Sequence, residues 1–158
     1  MNLHIEKMTV SKARHILAWK YEVPYDFYNN EETDEALEEM LDGSYYALLN
    51  EQNDVVGFFC IGKNAQVPIG HQFGVYVDDF VDTGLGMHPN LVGKGNGTTF
   101  CNYIIQFIRK HYVGKPIRLT VAKFNKRAIH LYKKLGFVTV AEFTSNTTEF
   151  MTMIKNTK

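Results

Sequence analysis

The sequence lacks long apolar runs: nothing in it approaches the roughly 20 consecutive apolar residues that span a bilayer as a helix. No membrane partner is therefore expected. Its first residues, MNLHIEKMTV, lack the basic-then-apolar order of a secretory signal, so a cytoplasmic protein is expected. Cysteine is scarce. Cys60 and Cys101 form no CxxC pair and no Cys/His cluster with zinc spacing, and both sit in apolar surroundings, which predicts two buried, reduced thiols. The six histidines form no HExxH pattern, and no metal is expected. Charge of one sign is also missing. Lys plus Arg is 17 and Asp plus Glu is 17, and a balanced chain lacks the basic surface that a general nucleic-acid binder needs. There is no internal repeat, low-complexity tract or Pro/Ser-rich linker.

What is present suits one ordinary domain over residues 1–158, with 45% hydrophobic and 22% charged residues. Residues 3–9 alternate apolar and polar, as a strand does. Ser11 can cap a helix running to about Tyr21, with Ala13, Ile16 and Leu17 inward, and Thr33 can cap a second that ends at Gly43. Apolar runs at 45–51 and 55–62 read as a hairpin turned by Gln52-Asn53-Asp54. Residues 63–80 read as a loop with a short extended piece at 73–77. A strand at 80–88 is closed by Pro89. A helix over 97–112 follows, then the strand PIRLTVAK, a helix over 126–135 ended by Gly136, and a closing antiparallel pair. The order is βααβββαβαββ. It predicts an α/β (α+β) fold with a single mixed, mostly antiparallel sheet and helices on both faces.

The stretch His88-Pro89-Asn90-Leu91-Val92-Gly93-Lys94-Gly95-Asn96-Gly97-Thr98 follows a strand and opens a helix. Alternate glycines let backbone N–H groups converge with no Cβ in the way, and the helix adds its unpaired N–H groups and positive dipole end. Such a turn suits a phosphate or pyrophosphate. It meets neither the GxxxxGK[ST] of a Walker A loop nor the GxGxxG of a dinucleotide turn, where Thr98 takes the third place.

Here the chain resembles the GNAT superfamily of acyl-CoA-dependent N-acyltransferases, in element order over nearly its whole length. The resemblance is strongest at GLGMHPNLVGKGNGTTF (84–100) and VAKFNKRAIHLYKKLGF (121–137). The first is similar to the family's pyrophosphate turn, [QR]xxGxG[AG]. Gly95 and Gly97 match its glycines, while Val92 stands where Arg or Gln is usual. The second matches at Asn125, Ala128, Tyr132 and Gly136-Phe137. The resemblance implies acetyl-CoA as co-substrate, bound by Met87, His88, Val92, Gly93, Lys94, Gly95, Asn96, Gly97, Thr98, Asn125 and Tyr132. It implies a backbone N–H near Met87 as oxyanion donor and Tyr132 as the group that assists the departing CoA sulfur. Asn125 could equally be a helix N-cap.

Gly84 and Gly86 share one face of the strand with Asp82, which predicts close backbone approach, a bulge or a packing gap, and the resemblance implies that the acyl-pantetheine arm of the co-substrate inserts there. Asp82 is then a candidate to bind and deprotonate the acceptor amine, directly or through water. The aromatic segment 21–28, with Tyr25 and Tyr28, is either a hydrophobic plug under a loop or, as the resemblance implies, a lining of the acceptor site. The reading is an N-acetyltransferase with a small-molecule or peptide amine as partner, acting as monomer or homodimer. A non-catalytic acyl-CoA-binding module of the same fold and an unrelated nucleotide-phosphate binder are the competing readings.

Overall fold

The structure is a computed structural model that describes residues 1–157. Its elements run β1 (His4–Lys7), α1 (Val10–Leu17), α2 (Asp34–Met40), β2 (Tyr45–Leu49), β3 (Val55–Ile61), β4 (Val81–Met87), α3 (Gly97–His111), β5 (Ile117–Ala122), α4 (Lys126–Lys134), β6 (Val138–Ser145) and β7 (Thr148–Lys155). This is the order that periodicity and punctuation predict. Among the described residues the seven strands form a mostly antiparallel sheet in the order β1-β2-β3-β4-β5-β7-β6. The chain divides into two compact units, residues 1–60 with 85–96, and residues 61–84 with 97 onward.

In the first unit β1 pairs antiparallel with β2 and β2 with β3, in the registers Ile5↔Leu48 and Ala47↔Phe58. α1 starts two residues earlier than Ser11 would place it. Thr9 is the cap: its hydroxyl accepts from the Lys12 N–H at 3.4 Å, and its backbone is extended. The helix stops at Leu17, short of Tyr21, and still buries Ala13, Ile16 and Leu17. Thr33 caps α2 through the Ala36 N–H at 3.2 Å, and Asp34 and Glu35 in the first turn complement the helix dipole. Leu48 and Phe59 are fully buried in this unit.

In the second unit β4 runs parallel to β5 at Val81↔Ile117 and Asp82↔Arg118. β7 pairs antiparallel with β5 on one side and with β6 on the other. α3 buries Phe100, Cys101, Ile104, Ile105 and Ile108, a stripe at helical spacing. Tyr103 and Phe107 flank that stripe only half-buried. The segment before β4 has no extended piece at 73–77. It holds two 3-10 turns, Lys63–Ala65 and Pro68–Phe73, the second started by Pro68 and stopped by Gly74 in left-handed backbone.

Candidate active site

In the first unit, the end of β4 leads into the glycine turn. The His88 N–H donates to the Val56 carbonyl of β3 at 2.8 Å. N–H and C=O of one residue point to the same edge of an antiparallel strand, and successive residues alternate edges. Both polar groups of Met87 therefore point away from β3. The Met87 carbonyl on that outer edge accepts a hydrogen bond from the Tyr21 hydroxyl at 2.8 Å. Tyr21 is itself held by its backbone N–H, which donates to Asn29 Oδ1 at 2.8 Å. The sequence places Tyr21 at the head of the aromatic segment 21–28 but gives it no role of its own, because its partner is 66 residues away.

The expected room beside the glycine face of β4 is not found at Gly86. A Cβ there would meet the Phe58 ring at 2.5 Å, so this glycine is required by an aromatic side chain lying over the strand.

The turn itself is built for backbone exposure. Leu91 N–H donates to the His88 carbonyl at 2.8 Å, and the Asn96 side-chain amide donates to the Leu91 carbonyl at 3.3 Å, tying the turn across its base. Gly93 and Gly95 have φ of 71° and 82°, left-handed values that side chains strongly disfavour. Among the described residues, no atom beyond its own chain neighbours lies within 4 Å of where a Gly95 Cβ would be. The turn enters α3 at Gly97. Left-handed backbone at two glycines, with open space at Gly95, leaves the N–H groups of this turn accessible to an anionic ligand.

His88 adds a feature of its own. Its Nδ1 accepts the Asn90 N–H at 3.0 Å, so the neutral ring carries its proton on Nε2. The ring lies 5.0 Å from that of Trp19 and 6.4 Å from that of His15. Burial, with His15 adding to it, lowers the His88 pKa below the ordinary histidine value. A nitrogen-detected NMR titration should find its midpoint below that of a histidine in an unfolded chain, with Nε2 protonated at neutral pH. The unfolded chain then takes up this proton first, so His88 disfavours folding as pH falls through that window. A midpoint at or above the ordinary value would contradict this assignment.

In the second unit, Asn125 caps α4, its Oδ1 accepting the Ala128 N–H at 3.1 Å. α4 places Tyr132 with its side chain buried and its ring 5.9 Å from that of Phe137. The Phe137 N–H donates to the Tyr132 carbonyl at 3.0 Å after the left-handed Gly136. Leu131 packs on the start of α3, where a Cβ on Gly97 would come within 2.7 Å of it.

Asp82 is occupied elsewhere. It is 5% exposed and faces Arg118, which is 2% exposed. Arg118 Nε and Nη2 donate to its two oxygens at 2.6 and 2.8 Å, and Gln66 donates to one of them at 2.9 Å. Arg118 also lies over the rings of Tyr76 and Phe80 at 5.2 and 5.3 Å. The Asp82 hydrogen bond holds the arginine pKa above its ordinary value. Tyr25 is half-buried and Tyr28 exposed in a 3-10 turn, Tyr25–Tyr28, of the first unit. Cys60 and Cys101 are buried, reduced thiols, as expected, and burial pushes Cys101 up to about 12, too high for a nucleophile at neutral pH.

The family model described as Acetyltransferase (GNAT) family matches residues 10–137. No curated protein gives a significant match. Among solved structures, a chimera of the Vibrio cholerae spermidine N-acetyltransferase SpeG with hSSAT aligns with TM-score 0.74 at 19% identity, covering 98% of this chain and 95% of that one. A putative acetyltransferase from Acinetobacter baylyi ADP1 aligns with TM-score 0.68 at 15% identity, over 98% and 93% of the two chains. A dodecameric spermidine N-acetyltransferase from Vibrio cholerae aligns with TM-score 0.68 at 18% identity, over 98% and 94%.

Proposed function

This chain belongs to the GNAT acetyltransferase family, and we propose that it moves an acetyl group from acetyl-CoA to a primary amine by direct attack on the thioester. The observation that carries this reading is the turn with Gly93 and Gly95 in left-handed backbone, open at Gly95 and entering α3. Residues Val92 to Thr98 would hold the pyrophosphate through backbone N–H groups, and Lys94 supplies a positive charge within the turn. Acetyl-CoA supplies an activated acyl group: the amine nitrogen bonds to the carbonyl carbon, the C–S bond breaks, the nitrogen loses one proton and the sulfur gains one.

Each remaining requirement has a candidate in this chain. The Met87 N–H, on the outer edge of β4, is the oxyanion donor. The Tyr132 hydroxyl gives the proton or hydrogen bond that the leaving sulfur needs. Asp82 is assigned a structural role, because proton uptake by its carboxylate would dismantle a buried pair with Arg118. The acceptor amine then reaches the site neutral by losing its proton to solvent.

The acceptor is a cationic small amine, with polyamines the first to test. Residues 21–62 contain eleven acidic residues and no Lys or Arg, a field that concentrates cations around this part of the chain. The spermidine acetyltransferases of the same fold point to the same class. Tyr25 and Tyr28 are candidates for the amine's aliphatic portion. The protein is assigned as a monomer or homodimer, which native mass measurement separates from a dodecamer.

Thiol release from acetyl-CoA, measured with spermidine, free amino acids and lysine- or N-terminus-bearing peptides, tests the reading. Release that depends on one of these amines supports it, and binding of acetyl-CoA without turnover on any of them would favour the non-catalytic module. Gly95→Val probes the turn. A side chain at its φ of 82° costs roughly 1–2 kcal/mol of local strain yet meets no neighbour. The variant should stay folded and bind CoA at least about tenfold more weakly by calorimetry. Unchanged affinity would move the pyrophosphate elsewhere.

A further inference from the structure

Met87 lies beyond the last residue pair by which β4 joins β5, which is Asp82↔Arg118. Its carbonyl is on the outer edge of β4, and a side chain supplies its hydrogen bond: the phenol of Tyr21, from the segment that follows α1. A hydroxyl has a single hydrogen, and here that hydrogen is spent on Met87. Burial pushes the Tyr21 pKa up to about 12, so the group stays a phenol and keeps donating at any physiological pH. The bond from the Tyr21 N–H to Asn29 fixes the backbone from which the ring projects. The end of β4 is thereby held on both edges, by Val56 through the His88 N–H and by Tyr21 through the Met87 carbonyl. The Met87 N–H lies on the edge that Tyr21 holds.

We propose that Tyr21 is a positioning residue for acetyl transfer, whose hydroxyl fixes the outer edge of β4 and so aims the Met87 N–H at the thioester carbonyl. This rests on the N-acetyltransferase reading above. An oxyanion donor acts only if it points at the place where charge develops, and small misplacements of such groups are costly in rate. The one hydrogen of the Tyr21 hydroxyl is given to the Met87 carbonyl. Tyr21 acts through the strand.

Tyr21→Phe removes the hydroxyl and keeps the ring. The expected result is a fall in kcat of about tenfold or more, with the Kd for acetyl-CoA, the KM for the amine and the melting temperature nearly unchanged. A second measurement does not depend on knowing the acceptor. The infrared band of acetyl-CoA labelled with carbon-13 at the thioester carbonyl should shift to lower frequency on binding the wild-type protein, and the shift should shrink in Tyr21→Phe. Unchanged kcat and an unchanged band would overturn the proposal. So would a loss of activity matched by lost acetyl-CoA affinity or a lower melting temperature, which is the mark of a merely structural bond. If the wild-type protein binds acetyl-CoA but acetylates no amine, the functional reading fails while the infrared comparison still decides the role of Tyr21. If it binds no acetyl-CoA, both fall together.

Discussion

Asp82→Asn is expected to destabilise the protein by about 3–5 kcal/mol, the usual cost of leaving one member of a buried ion pair without the other. The reason is geometric. Arg118 is 2% exposed and places Nε and Nη2 on the two oxygens of Asp82, so removing the negative charge strands a guanidinium where water cannot reach it. Against a typical total stability of about 5–15 kcal/mol, that loss is large. Urea unfolding should show a lower midpoint with an unchanged slope. The double variant Asp82→Leu with Arg118→Met should recover most of the lost stability, because it removes both charges and fills similar volume. The pH–rate profile of whatever Asp82→Asn protein remains folded should keep its acidic limb. Loss of that limb with stability intact would return Asp82 to the role of base.

Tyr132→Phe is expected to lower turnover by about a hundredfold or more wherever departure of the sulfur limits the rate. A thiol with a pKa near 8.5 is a moderate leaving group, so one well-placed donor is enough to matter. The substitution keeps the ring and the backbone. The ring stays against Phe137, the backbone bond from the Phe137 N–H to the Tyr132 carbonyl is untouched, and Leu131 still packs at Gly97. Acetyl-CoA affinity should therefore change by less than about twofold, a difference of under 0.5 kcal/mol. Pre-steady-state thiol release is the measurement to make, since it isolates the chemical step. Wild-type rates in that experiment would leave the sulfur to depart unaided.

The order of elements was legible because each end carries a local signal. Thr33 before Asp34, Asn125 before Lys126 and Gly136 after α4 mark helix ends through bonds that close within one turn. The start of α1 was misplaced at Ser11 for the same reason. Thr9 and Ser11 are both good caps, and only the observed backbone chooses Thr9. The glycine turn was legible too, since left-handed backbone at Gly93 and Gly95 is a property of those residues themselves. What the sequence concealed depends on register. Asp82 meets Arg118 because β4 and β5 pair in parallel at those two positions, and nothing local to either residue announces it. Gly86 looked like a gap, yet the space belongs to Phe58 of the neighbouring strand. Tyr21 sat in view within an aromatic segment whose irregularity hid which ring has a strand to hold.

The position of β7 has a consequence for how the protein is made. β7 is the last strand in the chain and lies between β5 and β6, carrying hydrogen bonds to both. Its Lys155 side chain also donates to the Leu135 carbonyl just after α4, at 2.7 Å. During translation, β5, α4 and β6 must therefore leave the ribosome with one edge of β5 and the facing edge of β6 unpaired, and wait. The first unit has all of its residues by Asn96 and can settle much earlier. Chains ending between Ser145 and Thr148, held on the ribosome by a linker long enough to clear the exit tunnel, should have an early segment that resists protease and a later one that is cut. The same tether placed after Lys155, so that β7 also emerges, should convert the later segment to the resistant form in one step.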